Sequence, residues 1–182
     1  MGRVIAVANQ KGGVGKTTTA INLSSCLASY GKKVLALDMD PQGNMTSGLG
    51  VDKDNVEKTV YDLIIGNAGV DECICRNALE NLDVLPSNIN LSAAEIELIG
   101  VDNKEYILKS EVDKVKNDYD FIVIDCPPAL SMLTINAMTT ADSVIVPIQC
   151  EYYALEGLSQ LIHTIELVQE RLNPALEIEG VV

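Results

Sequence analysis

Four short stretches of this chain, residues 3–8, 34–37, 121–124 and 143–148, are apolar at nearly consecutive positions instead of alternating ones. A strand with one wet face alternates. A strand that is apolar throughout is buried on both faces, which places it in a parallel sheet with helices on either side. The intervening segments supply those helices. Residues 16–30 bring Ala20, Leu23, Leu27 and Ala28 to helical spacing, and Gly31 follows as a stop. Further helices are predicted over 59–66, 92–99, 105–116, 131–140 and 155–172, the last ended by Asn173-Pro174. Residues 82–85 read as another strand and 40–50 as a loop rich in Gly, Asn, Gln and Ser. The predicted fold is one three-layer α/β/α domain over 1–182 with a mostly parallel sheet. Residues 178–182 read as the start of a buried strand that is cut off, so the chain is expected to be truncated at its C-terminus.

The junction between the first strand and the first helix carries Lys11-Gly12-Gly13-Val14-Gly15-Lys16-Thr17-Thr18. Glycines there let backbone N–H groups turn inward around a phosphate, and the helix start adds partial positive charge. Lys16 is placed to reach the β- and γ-phosphates of a nucleotide, and the Thr17 hydroxyl to bind Mg²⁺. The segment departs from the strict G-x-x-x-x-G-K-[ST] pattern, because Gln10 stands where its first glycine belongs. With strand, glycines, lysine and helix in order, the fold is predicted to be that of a P-loop NTPase.

Such a site needs carboxylates at strand ends to hold the metal and orient water. Asp125 ends the apolar run 121–124 and is predicted to hold Mg²⁺ through water. Asp38 and Asp40 follow the run 34–37, just before Pro41.

Composition narrows the function. The 182 residues include 13 basic and 26 acidic ones, a net charge of -13, which argues against a chain-wide basic footprint for nucleic acid or anionic lipid. Five cysteines, odd in number and scattered, read as reduced thiols in a cytoplasm and not as a disulfide framework. Cys73-x-Cys75 lacks the second pair that structural zinc requires. No apolar run is long enough to span a membrane, and the N-terminus lacks the regions of a signal peptide. His163 is expected to be a satisfied structural histidine in an apolar helix, and Cys126 an inert small side chain. Glu95, Glu97 and Glu105 are expected on solvated helix faces. Glu151 and Glu156 would open the long helix, where carboxylates suit the dipole.

The string from Lys11 to Thr18 resembles the deviant P-loop of the ParA/MinD superfamily. The segments 38–50, 85–98, 124–130 and 147–158 extend the likeness over nearly the whole chain. They resemble the Soj/ParA partition branch more than the MinD branch. The nitrogenase iron-protein branch is disfavoured, because Met132 stands where a cluster-ligating cysteine belongs. The resemblance implies an ATP- and Mg²⁺-dependent ATPase that dimerises with ATP, binds DNA without sequence preference and is stimulated by a ParB-type partner in the bacterial cytoplasm, near the nucleoid. It also implies that Lys11 crosses the dimer interface to the partner's phosphates, that Gly12 lies where the two loops meet, that Asp40 polarises the attacking water, and that Asp38 supports the Mg²⁺ shell. Most of the DNA-contacting residues and the adenine loop would lie beyond this chain. Two other readings keep the same fold: a MinD-like adaptor that positions proteins at a pole or membrane without DNA, and a metabolic P-loop kinase or ligase.

Overall fold

The computed structural model describes residues 2–149 and 154–182, without the side chains of 154–156. Its strands are β1 (Arg3–Val7), β2 (Val34–Asp38), β3 (Cys75–Leu79), β4 (Leu82–Leu85), β5 (Phe121–Asp125), β6 (Ser143–Val146) and β7 (Glu177–Val181). Its helices are α1 (Lys16–Ser29), α2 (Asn44–Gly48), α3 (Val60–Ile64), α4 (Val70–Cys73), α5 (Ala94–Glu97), α6 (Ile107–Val115), α7 (Met132–Thr140) and α8 (Ala154–Arg171). The strands form one sheet in the order β3-β4-β2-β5-β1-β6-β7, with β3 antiparallel to β4 and every other pairing parallel.

The consecutive apolar positions are buried on both faces, as the pattern requires. Val4, Ala6, Leu35, Leu37, Ile122 and Ile124 face a core shared with α3 to α8. Val7, Val34, Ala36 and Val123 face the other way, toward α1 and α2. After Lys16, the buried positions of α1 are Ala20, Ser24 and Ala28. Their small side chains let this helix lie close to the sheet, so its first turn ends up directly above the end of β1.

Several expectations need correction. The loop read over 40–50 contains the short helix α2, started by Gly43 at φ +62°. The segment before β4 forms α4 and the hairpin strand β3, which the strand pattern does not reveal because its residues are largely exposed. β7 is an edge strand with mostly exposed side chains, where a buried strand was expected. His163 is not packed in a core. It is exposed, with Nδ1 3.8 Å from a Glu166 carboxylate. The exposed positions of Glu95 and Glu97 agree with solvated helix faces. Glu151 and the Glu156 side chain lie outside the described residues.

Candidate functional site

The phosphate loop begins where β1 ends. Val14 is buried and anchors the loop, while Gly13 and Gly15 adopt φ +75° and +91°. Side chains are strained in that region, so glycine is required at both. Nothing lies within 4 Å of where a Cβ on Gly12, Gly13 or Gly15 would stand, so the loop's inner surface opens onto free space. Gln10, the departure from the strict pattern, lies outside the positive-φ region. No glycine is needed at that position, and the Gln10 side chain instead donates to Gln160 of α8 at 2.8 Å.

No side chain caps the start of α1, and its first turn carries no acid. The amide groups of that turn therefore face the cleft without a carboxylate to satisfy them. The cleft has a volume of about 390 Å³ and is lined by Gly12, Gly13, Gly15, Lys16, Thr17, Thr18 and Asp40, together with Gln42, Asn44 and Pro128. Lys16 is buried, and its ammonium donates to the Lys11 carbonyl at 2.9 Å. Burial pulls its pKa below the ordinary lysine value. Asp125, Cys126 and Asp40 partly offset that shift.

Asp38 and Asp125 end neighbouring strands and stand opposite each other in register. Both are fully buried, yet their surroundings differ. The Asp38 carboxylate accepts from the Thr46 amide (2.8 Å), the Thr46 hydroxyl (2.7 Å) and the Asp40 amide (3.1 Å). Burial nonetheless raises its pKa. Neither carboxylate oxygen of Asp125 has a hydrogen-bond partner of ordinary geometry. Burial pushes its pKa up to about 7, the nearby Thr17 hydroxyl opposes this, and the charges of Asp38 and Asp40 add to it. Asp40 accepts from the Gln42 amide at 2.9 Å and is almost fully buried. Cys126 is fully buried beside Asp125, and that burial pushes its thiol far above the usual range, so it is inert as a nucleophile.

An unpartnered buried carboxylate is costly unless a cation or donor arrives. Asp125 beside the Thr17 hydroxyl supplies the hard oxygen donors that Mg²⁺ takes, and the open amides with Lys16 supply the donors that a polyphosphate takes. The residues present thus fit a magnesium nucleotide. The structure brings every site residue expected from the sequence to this one end of the sheet.

Sequence reasoning missed the supports. Asn9 is buried, donates to the Pro147 carbonyl at 2.7 Å and accepts from the Lys11 amide at 3.0 Å, which ties the loop's start to the exit of β6. Gln149 donates to the Gly13 carbonyl at 3.0 Å. Each bond spans well over a hundred residues or serves a turn, and no local pattern announces it. Among the described residues no cluster of three or more His, Cys, Asp or Glu could hold a metal by itself, and no helix is long and apolar enough to cross a membrane.

A family model described as an AAA domain matches residues 2–178. The sporulation initiation inhibitor protein Soj of Bacillus subtilis is 58% identical over 181 residues, covering 100% of this chain and 72% of that protein. The chromosome partitioning protein ParA of Myxococcus xanthus is 51% identical, covering 100% of this chain and 64% of that one. Among solved structures, a cobyrinic acid a,c-diamide synthase from Mycobacterium smegmatis with bound ADP and magnesium superimposes with a TM-score of 0.96 at 43% identity, covering 100% of this chain and 74% of that one. Taken with the phosphate loop and its carboxylates, these likenesses show that the chain belongs to the ParA/Soj family of partition ATPases, within the ParA/MinD superfamily.

Proposed function

We propose that this chain binds ATP with Mg²⁺ and hydrolyses it as the nucleotide-switched engine of a chromosome or plasmid segregation system. The observation that carries the reading is Asp125, buried with both oxygens unpartnered beside Thr17 and the uncapped start of α1. The names and identities of the Soj and ParA relatives support the segregation role. The solved relative named as a synthase shares the fold at lower identity, 43% against 58%, and a shared fold does not carry over an acceptor substrate.

In this reading the amides of Gly12 to Thr18 cradle the phosphates. Lys16 exchanges the Lys11 carbonyl for phosphate oxygens. Thr17 and, through water, Asp125 hold Mg²⁺, which when bound neutralises charge on the phosphate chain. Asp40 orients the attacking water, one of its oxygens being fixed by the Gln42 amide. Asp38 fixes the Asp40 amide and supports the metal's shell from behind. Lys11 acts in trans, in an ATP-bound homodimer, on the partner's phosphates. A ParB-type protein stimulates hydrolysis, the dimer holds DNA without sequence preference, and the protein works in the cytoplasm at the nucleoid.

Calorimetry of the chain with ATP, with and without magnesium, tests the reading. We expect binding that strengthens with the metal, and an Asp40→Ala variant that binds but no longer hydrolyses. Absence of any heat of binding would remove the proposal.

A further inference from the structure

We infer that Thr46 is a positioning residue for ATP hydrolysis: its hydroxyl joins the loop carrying Asp40 to the exit of β4. The inference rests on the ATPase reading above and assigns a role to a side chain outside the phosphate cleft.

Thr46 is fully buried in α2, as are Asp38 and Ser87. The Ser87 amide donates to the Thr46 hydroxyl oxygen at 2.9 Å. An N–H can only donate and a carboxylate can only accept, so the single hydroxyl proton of Thr46 goes to the Asp38 carboxylate at 2.7 Å. The Thr46 amide donates to the same carboxylate oxygen at 2.8 Å. The other oxygen of Asp38 accepts the Asp40 amide. The polarity of the chain is thereby forced, from Ser87 through Thr46 to Asp38, which holds Asp40. A second contact clamps the same loop: a Cβ on Gly43 would stand 2.7 Å from the Ser87 carbonyl oxygen, so the backbones touch there. Ser87's own hydroxyl is buried without a partner, so its amide is what makes the joint.

Replacing the hydroxyl by a methyl strands the Ser87 amide and takes one donor from Asp38. The loop must then shift to admit water, and Asp40 shifts with it. The phosphate loop shares none of these bonds. Small misplacement of a water-orienting group costs rate far more than binding.

The experiment compares Thr46→Val and Thr46→Ser with the unaltered chain, reading kcat, KM, calorimetric ATP affinity with magnesium, and nucleotide-free amide exchange at Asp40 and Ser87. For Thr46→Val we expect kcat to fall about tenfold or more, with KM and affinity within about threefold. Exchange at both amides should rise about tenfold. Thr46→Ser should restore all four readouts. Should valine crowd the site and prevent folding, Thr46→Ala removes the same hydroxyl without added bulk. Unchanged kcat and exchange would overturn the inference, as would kcat and KM falling together without rescue by serine. If the unaltered chain bound no ATP, the ATPase reading would fail by itself. The exchange data would still decide whether the joint exists.

Discussion

Two polar clusters occupy opposite ends of the same strands, and they are built on opposite principles. At the amino ends of β2, β4 and β5, a hollow of about 480 Å³ is lined by Lys33, Arg76, Asn77, Asn81, Asp83, Asn117, Asp118 and Tyr119. Its central charges, Arg76 and Asp83, are paired with each other. The Tyr119 hydroxyl donates to Asp83 at 2.7 Å, Arg76 reaches Asp83, Tyr119 and Asp71, and the Asn77 amide donates to Asp83 at 2.7 Å. Nearby, the buried Lys116 ammonium meets both oxygens of Asp142 at 3.0 Å, and Asp142 also accepts the Val4 amide. At the carboxyl ends the cleft is smaller, about 390 Å³, and one of the charges beside it, Asp125, is left open. Three aspartates converge with one lysine, and Asp125 has no hydrogen-bond partner of ordinary geometry, with only the Thr17 hydroxyl nearby. We read the larger hollow as structural and the smaller one as the candidate site. Unsatisfied charge, not volume, separates them, because only a ligand can repair it.

The comparison can be broken most forcefully at Asp125. Its pKa rises from an unfolded value near 3.8 to about 7, so the folded chain binds the extra proton between those values. Folding stability from this group is therefore full below about pH 4 and declines as pH rises toward 7. Asp125→Asn removes the ionisable group. At pH 8 without nucleotide we expect it to stabilise the chain by roughly 2 to 4 kcal/mol in urea unfolding, with the gain vanishing near pH 4. The same variant should lose the magnesium-dependent part of ATP binding. A destabilised Asp125→Asn at pH 8 would place Asp125 among the satisfied structural charges.

Lys16→Ala comes next. Removing the buried ammonium should weaken ATP binding about 100-fold, near 3 kcal/mol, in calorimetry. Retained affinity would deny Lys16 its phosphate role.

The amino-end cluster should respond in the opposite sense. Lys116→Met breaks an ion pair whose aspartate is half exposed. We expect a loss of about 1 to 2 kcal/mol in stability with ATP affinity unchanged. Tyr119→Phe, which forfeits the hydroxyl's bonds to Asp83 and from Arg76, should cost about 1 kcal/mol, again without effect on nucleotide binding. A change in affinity from either variant would mean that the two ends are coupled and the contrast between them too sharp.

Much of this was legible in residue order. Strands apolar at every position demanded two covered faces, and the glycines before Lys16, between a strand and a helix, pointed to a phosphate-binding turn. Asp125 could be picked out because it closes an apolar run, where a carboxylate has no place unless the strand ends there. Other features were not legible. The hairpin strand β3 escaped notice because its largely exposed side chains carry no burial pattern, and left-handed backbone at Asn77 within it and at Asn81 in the turn after it is not specified by residue type alone. His163 sits among apolar neighbours in the chain, yet the helix turns it to solvent. Thr46, Asn9 and Gln149 look like ordinary loop residues until their partners 8 to 138 positions away are known.

Residue order by itself determined which segments are buried and which turn takes up left-handed glycines ahead of a helix, because hydrophobic periodicity and glycine's backbone freedom are local properties. Tertiary structure alone decided that Asp38 and Asp125 would face each other across β2 and β5, that one would be saturated by Thr46, and that the other would be left open. Those outcomes depend on strand order and register, which bring together residues 87 positions apart and are settled only when the whole sheet assembles.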